Sequence, residues 1–342
     1  MPRMAKRGSS GISRLIAVNK PYGMSSHDVV NRVRRIFNER RVGHAGTLDP
    51  LASGVLLICV GPATRLDAHL TGHGKRYRMG VAFGVSTTTD DVEGEVTKTL
   101  ALPGQLYDDE YAQNYVSGMV GKHTQVPPIY SAIKVGGKKS YEEARKGKVI
   151  DLAPREFEIY DAQFLQLAEI ERVDGIRAPE WCVEMSVSKG TYMRSIARDM
   201  GRDMNTAAYV SSLERTASGV VMLEDCVSLE ELEENPDAGT LDPLRVLGIR
   251  FAFARECAQK VANGAQLREA ELSLNEALMT ELMTPCMCTT SVIPSLRPPH
   301  NEELIGVIVD NRLKALYEYH ESEHRYVVRC MFSIGVERGR TV

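Results

Sequence analysis

Twelve residues, Gly43-His44-Ala45-Gly46-Thr47-Leu48-Asp49-Pro50-Leu51-Ala52-Ser53-Gly54, run straight into the apolar stretch 54–60, GVLLICV. This junction constrains the fold more than any other part of the chain. Residues 43–50 are too rich in glycine and proline for a helix or a central strand, so they predict a loop. The apolar run predicts a strand buried on both faces. Glycines let the backbone approach a ligand closely, and Pro50 fixes the geometry after the acid. An acid in a rigid loop ahead of a buried strand is well placed as a preorganised nucleophile or base. An aspartate before proline also closes Asx turns on its own backbone. The Asp49-Pro50 pair alone is compatible with both roles.

Patterning extends the expectation along the chain. Ser26 reads as the N-cap of a helix to about Phe37, with Val29, Val30, Val33 and Ile36 on one buried face. Residues 77–83 and 93–99 read as strands around a polar connection, 108–120 as a helix, 181–187 as a strand and 191–204 as a helix. Residues 125–147 carry prolines, paired glycines and the bases Lys134, Lys138, Lys139, Arg145 and Lys146. They read as a protruding loop with a short helix near 140–145. Residues 229–234 predict an acidic helix and Asn235-Pro236-Asp237 a linker. Beyond it, 251–262 reads as a helix, and 303–309 and 313–319 flank Asp310-Asn311-Arg312 as a hairpin. Residues 325–334 predict a further strand, and 284–301 one long loop.

Charge is unevenly spread. Residues 221–342 hold 12 Lys+Arg and 20 Asp+Glu, a net of −8, whereas residues 1–220 carry +5. A polyanionic partner is therefore expected on the first two thirds. Seven cysteines with no paired C-x-x-C argue against a disulfide framework and a structural zinc site. No stretch approaches the roughly 20 apolar residues of a membrane helix. The basic, small-residue start lacks an apolar signal core, so residues 1–12 read as a disordered arm and the protein as cytoplasmic.

Five ordered motifs add a resemblance. Lys20-Pro21-Tyr22-Gly23-Met24-Ser25-Ser26 and the twelve-residue string around Asp49 closely resemble the TruB family of pseudouridine synthases. Lys75-Arg76-Tyr77-Arg78, followed by Thr87-Thr88-Thr89-Asp90-Asp91-Val92-Glu93-Gly94, is similar to a second family motif. Gln125-Val126-Pro127-Pro128-Ile129-Tyr130-Ser131-Ala132-Ile133-Lys134 resembles the start of its RNA-gripping insertion. Gly190-Thr191-Tyr192-Met193-Arg194-Ser195-Ile196-Ala197 resembles the motif of its active-site arginine, and Leu213 to Gly219 (LERTASG) its last motif. Ile196 and Met200 stand where leucine is common, volume-conserving changes, and Thr88 stands where aspartate is frequent.

The resemblance implies an α+β fold: a catalytic domain over 13–240 with a mixed, largely antiparallel sheet, an insertion at 125–150, and a small β-rich module over 245–342. Val261-Ala262-Asn263-Gly264 and the hairpin near Asp310 resemble a PUA-like domain. The implied activity converts uridine to pseudouridine in the tRNA T loop, position 55. The enzyme is expected to act as a monomer, without guide RNA, membrane, metal or cofactor. Asp49 falls on the essential aspartate, which either attacks C1′ or abstracts a ribose proton. Arg194 falls on the arginine paired with it, which holds the carboxylate charged and oriented. Tyr77 and Tyr192 are expected against the flipped base, Leu213 in the apolar wall of the pocket, and Lys20 among the substrate-binding residues. His44 is expected to fill the space the base leaves. The insertion's lysines are expected to grip phosphates.

Overall fold

The computed structural model describes residues 10–130, 134–135, 138–139, 152–277, 288–289 and 292–341. Strands dominate it. In chain order they are β1 (Arg14–Lys20), β2 (Val42–Ala45), β3 (Ala52–Val60), β4 (Lys75–Phe83), β5 (Val85–Thr87), β6 (Val96–Thr99) and β7 (Gly121–Gln125). Next come β8 (Lys134–Val135), β9 (Lys138–Lys139), β10 (Arg155–Glu171), β11 (Arg177–Val187), β12 (Ala208–Ser218), β13 (Val221–Met222) and β14 (Phe251–Phe253). Last are β15 (Leu267–Arg268), β16 (Leu274–Ala277), β17 (Cys288–Thr289), β18 (Val292–Pro294), β19 (Leu304–Val309), β20 (Arg312–His320), β21 (Arg325–Val336) and β22 (Arg340–Thr341). Among the described residues no helix is long and apolar enough to cross a membrane. Together with the helices, these strands make the expected α+β fold.

Two compact units emerge. The first takes in the described parts of Met1–Pro50, Gly54–Gly72 and Ala217–Val342. Within it β3 is flanked by β1, from Arg14↔Val60 to Lys20↔Gly54, and by β2, from Val42↔Val60 to Ala45↔Leu57. The apolar run is thus buried from both edges and both faces, as its composition demands. Leu15, Ala17, Val55 and Leu57 share one core with Leu241, Leu244, Phe251, Phe332 and Val336. The C-terminal segment adds a seven-stranded sheet, β15-β21-β20-β19-β14-β16-β18, in which β14–β19 is parallel. Its β19–β20 hairpin turns on Asp310 and Asn311, both with positive φ (50° and 56°), the geometry a two-residue type I′ turn requires.

The second unit, Leu51–Ser53 with His73–Thr216, holds the strand order β12-β4-β11-β10-β7. Trp181 on β11 is wholly buried, edge-on to Phe83 at 4.9 Å, and its indole N–H donates to the Leu106 carbonyl at 2.9 Å. The helix Asp109–Ser117 begins at Asp108, whose carboxylate accepts from Glu110 N–H and Tyr111 N–H. The helix Met193–Asp203 buries Met193, Arg194, Ile196, Ala197 and Met200 on one side.

Several expectations need correction. The first helix, Ser26–Ile36, is capped by Ser25, not Ser26, through a capping box with Asp28. Ile36 is only half-buried. Of the loop expected over 43–50, residues 43–45 belong to the strand β2, because β3 supplies backbone partners despite Gly43. The strand expected from 93 starts at Val96. Residues 251–262 are not one helix: Phe251–Phe253 pairs with β16 and β19, and only Ala258–Ala262 is helical. The long loop 284–301 contains β18, which pairs with β16. The short helix expected at 140–145 lies outside the described residues.

Candidate active site

Asp49 sits between two residues whose backbones are fixed. Ser26, on the first turn of its helix and 2% exposed, turns its hydroxyl to the loop. Its Oγ donates to the Leu48 carbonyl at 2.9 Å and accepts from Leu48 N–H at 2.8 Å. On the other side, the Pro50 carbonyl accepts from Gly23 N–H at 2.9 Å and from the Lys20 ammonium at 3.4 Å. Lys20 is fully buried and also donates to the carbonyls of Pro21 and Met24. The Lys20–Ser26 motif therefore acts as the frame of the aspartate loop. Gly23 and Gly46 take positive φ (83° and 85°), which this tight path requires. Leu48 and Leu51 are buried on either side, and Asp49 itself is half-buried. His44 lies on β2 opposite Ile58 and is half-buried.

The other expected residues lie in the second unit. Tyr77 is on β4 opposite Met185, and Leu213 is on the neighbouring β12; both are 8% exposed. Tyr192 is the N-cap residue of the helix that carries Arg194. The Arg194 guanidinium is buried and held from several sides. It donates to the Thr89 carbonyl and to the Tyr130 carbonyl, each at 3.0 Å, and faces the Asp91 carboxylate at 3.6 Å. Asp91 accepts in turn from Thr89 Oγ1 and Glu93 N–H. A guanidinium so fixed presents its charge in one direction.

Two residues away from Tyr77, and on the same face of β4, lies Lys75, 8% exposed. Burial, with help from Arg215 and Lys189, pushes its ammonium down to about 8. Burial also lowers His73, whose carbonyl accepts from Lys75. Among the described residues no group of three or more His, Cys, Asp or Glu is placed to hold a metal ion.

Three contributors escaped the sequence reading. Ser26 was assigned to the helix cap, although a second serine beside it was free for that role. Asp91 lay inside a motif without a stated function. Gln125, 2% exposed, donates to the Gly190 carbonyl at 3.3 Å and accepts from Tyr192 N–H at 3.2 Å, so it pins the turn before Arg194. A lone polar residue ending a strand ahead of Val-Pro-Pro was the available signal. Of the insertion expected to grip RNA, Lys134–Val135 and Lys138–Lys139 form an antiparallel ribbon, and the remainder of 131–151 lies outside the described residues.

The chain is similar to known proteins over most of its length. Residues 34–193 match the model of the TruB family pseudouridylate synthase N-terminal domain. A tRNA pseudouridine synthase B of Pediococcus pentosaceus is 33% identical over 320 residues, covering 94% of this chain and 99% of that protein. Its counterpart from Geobacillus kaustophilus is 40% identical over 261 residues, 74% of this chain and 90% of that protein. Among solved structures, an H/ACA RNP bound to a substrate RNA containing 2′-deoxyuridine superposes with a TM-score of 0.61 at 19% identity, over 94% of this chain and 85% of that one. A Cbf5-Nop10-Gar1 complex gives 0.60 at 20%, over 94% and 84%. At those identities the likeness is one of fold.

Proposed function

The chain belongs to the TruB family of pseudouridylate synthases, and from that premise we propose that it isomerises a uridine of tRNA to pseudouridine, at position 55 of the T loop. The observation that carries the site assignment is the fixing of Leu48 and Pro50 on either side of Asp49. These bonds fix the backbone on both sides of Asp49, and a reacting group placed in advance lowers the cost of reaching the transition state.

In this proposal the target uridine leaves the folded loop and enters a pocket lined by Tyr77, Tyr192 and Leu213. A base buried in a stack is unreachable, and flat side chains hold one that has been turned out. His44 fills the gap in the RNA. Asp49, paired with Arg194, acts on the ribose, by attack on C1′ or by removal of a ribose proton. The C1′–N1 bond breaks, the uracil turns while trapped, and C5 joins C1′, displacing Asp49 where it had bonded there; C5 then loses its proton and N1 gains one, so the product is an isomer. Lys20 serves the substrate side by holding the loop that carries Asp49. The 125–150 insertion grips RNA phosphates, and 245–342 acts as a PUA-like module.

The enzyme works without guide RNA in this proposal. The reading is supported by the length of the match to the Pediococcus protein, whose name specifies tRNA. The direct test incubates the purified protein with an unmodified tRNA transcript and no other RNA. Carbodiimide mapping should then find one pseudouridine, at the T-loop uridine. No product, or product elsewhere, overturns the assignment.

A further inference from the structure

One helical arginine beyond Arg194 bridges the same two segments. Arg194 and Arg198 are four residues apart, so they share a helix face. Each binds one of two consecutive acids: Arg194 faces Asp91 at 3.6 Å, and Arg198 binds Asp90 at 2.9 Å. Each also donates to a carbonyl of the 125–130 segment, Arg194 to Tyr130 at 3.0 Å and Arg198 to Val126 at 2.8 Å. Ser195 Oγ donates to the same Val126 carbonyl at 2.8 Å.

The two segments belong to different parts of the second unit. Residues 90–92 are tied to β12, with Val210 N–H donating to the Asp90 carbonyl at 3.0 Å and Val92 N–H to the Val210 carbonyl at 2.9 Å. The 126–130 segment follows the end of β7. Pro127 and Pro128 are buried, but Val126 and Ile129 expose 44% and 47% of their surface. Three hydrogen bonds from the helix hold the segment, two to the Val126 carbonyl and one to the Tyr130 carbonyl.

We propose that Arg198 is a positioning residue for Arg194: by joining Asp90 to the Val126 carbonyl, it keeps the two segments at the spacing from which Thr89, Asp91 and Tyr130 hold the Arg194 guanidinium. The proposal rests on the reading that Arg194 serves the isomerisation. It adds a role for a side chain that need not touch the substrate. It also ties the root of the RNA-gripping insertion to the helix that carries Arg194, so both are set by one bridge.

The test compares wild type with Arg198→Ala, Asp90→Asn and the control Arg202→Ala. Arg202 is on the same helix but 72% exposed, and pairs at the surface with Asp199 and Asp203. Single-turnover pseudouridine formation at saturating tRNA should slow by about 10- to 100-fold in Arg198→Ala, the scale expected when a reacting group is displaced by about 1 Å. The tRNA Kd should change less than the rate. The Arg194 Nε–H resonance of 15N-labelled protein without RNA should shift or broaden in Arg198→Ala and stay in place in Arg202→Ala. Asp90→Asn should move both readouts the same way by less, and it decides the matter should Arg198→Ala not fold. A rate within about twofold of wild type, or an unmoved Arg194 resonance, overturns the proposal. A wild-type protein that makes no pseudouridine sinks the functional reading instead, and the resonance still judges the bridge.

Discussion

Ser26 and Leu48, 22 positions apart in sequence, are joined by a reciprocal pair of hydrogen bonds at 2.9 and 2.8 Å, one position before Asp49. The Ser26→Ala variant leaves both backbone groups of Leu48 without this partner in a buried setting. It should destabilise the protein by about 1–3 kcal/mol and slow pseudouridine formation even well below its melting temperature. Urea unfolding alongside a single-turnover assay separates the two effects. Unchanged turnover would detach the frame from the chemistry.

Asp49→Asn is expected to abolish pseudouridine formation while tRNA binding persists. The change keeps the shape and removes the charge, so it tests the chemistry of the carboxylate and not the fold of its loop. Mapping the product and measuring tRNA Kd on the same preparation is sufficient. Full activity in the variant would defeat the assignment of Asp49.

The β8–β9 ribbon carries Lys134, Lys138 and Lys139. Replacing all three with alanine should weaken tRNA binding and lower the slope of log Kd against log salt by about 2–3, since each phosphate contact releases close to one counterion. Titrations from low to moderate salt read this directly. A preserved slope would remove these lysines from the RNA interface.

Lys75 gives the protein a predictable response to alkali. Its folded-state value, about 8, lies below the ordinary 10.5 because of burial, Arg215 and Lys189. Between those values the unfolded chain binds more protons than the folded one, so stability should rise with pH from about 8 toward 10.5. Below 8 the cost of the buried charge is full and constant. The variant Lys75→Met should flatten that rise. Denaturant midpoints taken across this range measure it, and identical curves for the two proteins would contradict the shift.

The features legible in the sequence were those whose signal is local. The acidic helix Leu229–Glu234 and the β19–β20 hairpin carry their own caps and turn residues, and both stand where the pattern put them. The strand β10 was missed because its alternation breaks. Register shifts at Ile159/Asp161 and Phe164/Gln166 reset which side chains face inward, so no period of two survives over its 17 residues. Phe251–Phe253 went unread as a strand because its pairing partners, β16 and β19, lie far along the chain. At the candidate site, the motifs singled out Asp49 and Arg194. Ser26 and Gln125 act on backbone atoms of distant segments, and Asp91 faces Arg194 through its carboxylate; those contacts have no sequence signature.

The shared core of the first unit has a consequence for synthesis. Leu15 and Leu57 pack in one cluster with Phe332 and Val336. At about 5–20 residues per second, a ribosome needs roughly 15 to 55 s to travel from residue 57 to residue 332. During that interval the emerged N-terminal strands lack the partners that complete their core, while 73–216 arrives as one continuous stretch. Premature termination before the last strands leaves those apolar faces uncovered, so truncated chains are the natural clients of chaperones and proteases.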